Sequence, residues 1–74
     1  MWNVNEAKQA AHNLALLLEQ AENDTVAQQI VRDYSVILQS LPSAVRAIFF
    51  NEFAATASHK ALSHFFKATA AEQD

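Results

Sequence analysis

The stretch "AIFFNEFAATASHKALSHFF", residues 47–66, holds all five phenylalanines of a 74-residue chain: Phe49, Phe50, Phe53, Phe65 and Phe66. Whether this stretch is one helix or two decides the fold. The flanking alanines favour a continuous helix, with Pro42 in its first turn, where the missing N–H costs nothing, and an end near Ala70. A helix over 43–70 would measure roughly 42 Å at about 1.5 Å per residue. The competing possibility is a break near "ATAS", with Thr56 or Ser58 capping a fourth helix. The expectation is a continuous or gently kinked rod.

On such a rod two faces separate at 100° per residue. Ala44, Ile48, Asn51, Ala55, Ser58, Leu62 and Phe66 form a side of mostly small residues, which suits close packing against other helices. Val45, Phe49 and Phe53 form a second stripe well over 100° away, with Phe50 at its margin and Arg46 and Glu52 interspersed. A helix apolar nearly all round is either buried on all sides or meets another surface. Three short helices offer little material to surround so many rings, so the sequence predicts an aromatic interface composed of Val45, Arg46, Phe49, Phe50, Glu52 and Phe53. Burial of all five rings in one intramolecular core is the alternative, and it gains if the helix kinks. At an interface, losing Phe49 or Phe53 should cost on the order of 2 kcal/mol in association.

Moving toward the N-terminus, the pattern stays helical. The chain has no glycine and a single proline, so it has almost none of the residues that make hairpins or phosphate-cradling loops. Asn3 and Glu6 have the spacing of a capping box, with Trp2 placed as a hydrophobic staple. Ala7, Ala11, Leu14, Leu18 and Ala21 then repeat at steps of four and three, which predicts a first helix over 4–22. The polar "ENDT" interrupts, and Thr25 with Gln28 offers a second capping box, Asp24 lying near the positive end of the helix dipole. Ala27, Val31, Tyr34, Leu38 and Leu41 form the next stripe, widened by Ile30 and Ile37, for a helix over 26–40 that stops before Pro42. The predicted architecture is all-α: one domain over 1–74, a three-helix bundle with a long C-terminal helix, dimerising through its surplus apolar surface.

Composition supports that assembly. A domain this small buries only about 60% of its unfolded surface, and with no cysteine the disulfide staple is absent. Hydrophobic residues make up 51% of the chain and charged ones 18%, which excludes a disordered segment. A net charge of −3 argues against a general nucleic-acid or anionic-membrane binder. The longest apolar run, Leu14 to Leu18, is far short of a membrane span, and the N-terminus has no basic stretch followed by a hydrophobic core, so a soluble cytoplasmic protein is expected.

Candidate chemistry is thin. Glu52, His59 and Ser63 share a helical face, but Glu52 lies about 10 Å along the axis from His59, too far to orient a catalytic base. Glu19, Glu22 and Asp24 make an acidic corner in the most polar stretch, which Lys60 and Lys67 can complement across the bundle. His12 has no second ligand at helical spacing, and His59 and His64 diverge, so no metal or cofactor is expected within one chain. Lys60, His64 and Lys67 form a small basic stripe. The segment after Ser40–Ser43 opens with Ala44, Val45, Ile48 and Phe49, where a DNA-reading helix needs polar residues. A membrane-surface helix built on Phe65, Phe66, Lys60 and Lys67 fits the acidic balance poorly. The sequence therefore points to a non-enzymatic protein-interaction module of inhibitor or adaptor type. The rivals are a structural subunit whose patch serves only homo-oligomerisation and a small nucleic-acid-associated regulator.

Overall fold

The computed structural model describes residues 2–72 and is all-helical there, so the ends of the expected 1–74 domain, Met1 and residues 73–74, lie outside the described residues. Four helices follow one another: α1 (Val4–Gln20), α2 (Asp24–Gln39), α3 (Ser43–Thr56) and α4 (His59–Glu72). The long C-terminal rod of a three-helix bundle is thus corrected to two helices of equal length.

The capping box on α1 forms: Glu6 N donates to Asn3 Oδ1 at 2.8 Å, and Asn3 N donates to Glu6 Oε1 at 3.1 Å. The ring of Trp2, placed as a staple by the sequence, packs against the core and stacks on Phe49 of α3, with centroids 6.1 Å apart. Helix α2 begins earlier than its sequence pattern predicts, because Asn23 and not Thr25 is the cap. Asn23 is extended and its Oδ1 accepts from Val26 N at 2.9 Å, which leaves Asp24 in the first turn, where the dipole favours an acid. Pro42 caps α3 with its carbonyl, which accepts from Arg46 N at 3.0 Å.

The break falls at Ala57 and Ser58. Thr56 Oγ1 turns back to donate to Glu52 O at 2.8 Å, a bond that competes with the regular ladder. Ala57 is extended at φ −70°, ψ 138°, and Ser58 Oγ accepts from Ala61 N at 3.1 Å to start α4. Alanine propensity favours continuing the helix by only tenths of a kcal/mol per residue, whereas burying one large apolar side chain stabilises by about 1.5–3 kcal/mol. Folding α4 back covers several at once, so packing overrides the local preference. No described residue has a positive φ. The glycine-free chain therefore turns between helices through extended residues, with side-chain caps starting α2 and α4 and the Pro42 carbonyl starting α3.

The reversal also exchanges the two faces expected for the third helix. Phe49 is 0% exposed and Phe53 2%, while Ala44, Asn51 and Ala55 face solvent. The bulky stripe faces inward because large rings gain far more from leaving water than alanines do. Helix α1 packs on α3, α4 and α2, and α2 also packs on α4. Helix α3 reaches α2 and α4 through its rings, with Phe49 against Tyr34 and Phe53 against Phe65. The expected stripe of α1 is buried throughout: Ala7, Ala11, Leu14, Leu18 and Ala21. On α2, Ala27, Val31 and Leu38 are buried, with Leu41 just beyond, whereas Ile37 is exposed. The smallest dimension is 14 Å, two helix layers deep.

Candidate interaction surface

The six residues expected at an interface are divided by the fold. Phe49 and Phe53 belong to the core, which corrects their expected place on an outward-facing stripe. Val45 and Arg46 are half-buried, Val45 against the core. Glu52, also half-buried, pairs with His12 across α1 and α3, His12 Nε2 to Glu52 Oε2 at 2.7 Å. Phe50 alone among the predicted rings reaches the surface, at 36% exposure.

Aromatic contact carries the core out to that surface. Phe49 lies parallel to Phe53 with centroids 6.5 Å apart and meets Phe50 edge-on at 5.4 Å. Phe65 of α4 touches both Phe53, at 5.0 Å, and Phe50, at 6.2 Å. Phe66 then meets Phe65 at 6.0 Å and is 63% exposed. Consecutive helical residues diverge by about 100°, so when Phe65 turns toward α3 its neighbour Phe66 cannot follow. Phe50, Phe65 and Phe66 therefore form a contiguous patch, exposed at both ends and anchored in the middle by the half-buried Phe65.

The surroundings of the patch are mixed. Arg46 precedes Phe50 by one helical turn and has no ion pair among the described residues. Leu62, half-buried, precedes Phe66 by one turn. Phe65 and Phe66 lie outside the interface predicted from sequence, which centred on the N-terminal half of the third helix. Their adjacency was the available signal, since of two neighbouring helical rings only one can enter a two-layer core.

Other constellations are rearranged. Glu52 is committed to His12, and His59 is exposed in the first turn of α4, so Glu52, His59 and Ser63 do not assemble. The acidic corner is met by His64, not by Lys60 or Lys67. His64 Nδ1 lies 3.3 Å from Asp24 Oδ1, is buried, and makes no hydrogen bond. That inward turn removes His64 from the basic stripe. Burial raises the Tyr34 phenol above its usual range. Among the described residues no three His, Cys, Asp or Glu side chains cluster to hold a metal ion, and no helix is long and apolar enough to cross a membrane. Comparison with known protein families, curated proteins and solved structures finds no match to this chain.

Proposed function

We propose that this chain is a non-enzymatic protein-interaction module, of inhibitor or adaptor type, that binds another protein through Phe50, Phe65 and Phe66 with Arg46 at the margin. One observation carries the reading: Phe66 is 63% exposed yet in ring contact with Phe65, so the patch is held in place by the core behind it. Aromatic residues and arginine dominate binding energy at protein interfaces, and rings already fixed by packing lose little entropy on association. Removing the Phe66 ring should then cost on the order of 2 kcal/mol in binding. A cytoplasmic setting suits a cysteine-free chain, which has no use for an oxidising compartment.

The partner can be a second copy, since a twofold axis through such a patch makes the commonest kind of oligomer. The test compares the natural chain with a Phe50→Ser, Phe66→Ser variant, both checked by far-UV circular dichroism. Solution mass and affinity capture from the native host are then measured. The expected variant keeps its helix content and loses its partner, and a drop in mass identifies that partner as a second copy. A folded variant that retains every partner and the same mass removes the patch from consideration.

A further inference from the structure

A groove of about 410 Å³ runs between α1 and α2, lined differently from the ring patch and independent of it. Ala10 forms part of its floor, a side chain too small to fill the space between the two helices. Ile37, exposed at 41%, adds an aliphatic wall. Trp2 and Tyr34 supply aromatic walls, and both rings rest on the fully buried Phe49, at 6.1 and 6.4 Å. Their positions are therefore set by the core before any ligand arrives.

Two carboxylates complete the lining, Glu6 from α1 and Asp33 from α2, and no lysine or arginine lines the groove. Each acid uses one oxygen locally. Glu6 Oε1 accepts from Asn3 N at 3.1 Å, and Asp33 Oδ1 accepts from Gln29 Nε2 at 2.9 Å, which leaves the second oxygens for a ligand. Neither the Tyr34 hydroxyl nor the Trp2 indole N–H has a hydrogen bond among the described residues. Apolar floor, aromatic walls and unneutralised acids together select a cation with an aliphatic stem. A guanidinium fits better than an ammonium, because its plane stacks on rings while its forked N–H groups meet carboxylates. The volume is near the lower end of the roughly 300–1,000 Å³ typical of ligand pockets, suited to one side chain.

We propose that the α1–α2 groove is a docking site for an arginine side chain presented by a partner protein. The probe is N-acetyl-arginine amide titrated into the full chain. Binding is read by the emission of Trp2, the single tryptophan, and by backbone amide shifts. The expected result is a saturable change in Trp2 emission with shifts confined to Trp2 and residues 6–13 and 33–37. N-acetyl-citrulline amide, similar in shape but uncharged, should bind about tenfold or more weaker, and the lysine analogue several-fold weaker. Asp33→Asn keeps an acceptor for Gln29 and should weaken arginine binding about fivefold, while Glu22→Gln, with the same loss of charge, changes it less than about twofold.

Equal binding of the citrulline or lysine analogue overturns the assignment. So does an unchanged affinity in folded Asp33→Asn, or no saturable response by about 50 mM. If Asp33→Asn does not fold, the comparison of the three analogues on the natural chain decides alone. Failure here leaves the ring patch untouched, because neither its residues nor its test are shared.

Discussion

The ring of Phe65 lies 5.0 Å from that of Phe53, centroid to centroid and tilted by 51°, although one residue belongs to α4 and the other to α3. The contact exists only because the chain reverses at Ala57 and Ser58. With α4 folded back, Phe53 is 2% exposed. This pair is where the fold's departure from a straight rod is stabilised.

Phe53→Ala should therefore destabilise by about 3–5 kcal/mol, the usual cost of emptying a buried aromatic site. Phe65→Ala should cost less, since that ring is only half-buried. A double-mutant cycle by urea denaturation should give a coupling of about 0.5–1.5 kcal/mol. Coupling near zero would mean that the two rings are neighbours without holding the reversal.

Ser58→Ala removes the acceptor for Ala61 N and should cost about 1 kcal/mol. Asn23→Ala should cost a similar amount at the start of α2. Thermal unfolding followed by circular dichroism separates this from a packing effect, because Ala57→Ser at the neighbouring position offers no such cap. A Ser58→Ala chain as stable as the natural one would show that packing alone fixes the break.

Tyr34 makes stability depend on alkaline pH. Its folded phenol ionises above the ordinary value of 10.0 because burial disfavours the phenolate. Between the two values the folded chain binds more protons than the unfolded one, so this contribution is fully present below pH 10 and is lost as pH rises through the folded value. Denaturation curves across that window should show a steeper alkaline decline for the natural chain than for Tyr34→Phe. Parallel declines would remove Tyr34 as the cause.

His64 keeps a buried Nδ1 without a hydrogen bond. An apolar side chain of similar shape should be tolerated, so His64→Leu should be neutral or stabilising by up to about 1 kcal/mol at neutral pH. A loss of comparable size by chemical denaturation would instead mean that the contact with Asp24 contributes net stability.

The helices with a single apolar stripe were legible from sequence. Ala7, Ala11, Leu14 and Leu18 repeat with one period and face one way, and the Asn3 and Glu6 spacing sets the start of α1 to the residue. The third segment was not, because it is apolar on more than one side and periodicity cannot choose between sides. Its small face looked suited to close packing, yet Phe49 and Phe53 took the core. The stop signal in "ATAS" was present, carried by Thr56 and Ser58, but the alanines around it support helix equally well. What decided the matter was the joint burial of Phe49, Phe53, Ala61 and Ala68, a tertiary gain invisible to any local window. For the same reason the exposed rings are Phe50 and Phe66, joined by Phe65, and not Phe49 and Phe53.

The absence of any positive φ among the described residues has a bearing on how this sequence can vary. No connection depends on a conformation that only glycine tolerates, so the joints themselves impose no steric veto on a β-carbon. Constraint instead concentrates at interior alanines such as Ala7, Ala11 and Ala61, each 0% exposed, where an added methyl group has nowhere to go. Divergent versions of this domain should therefore need no glycine at their corners while keeping a fixed pattern of small residues at the helix crossings.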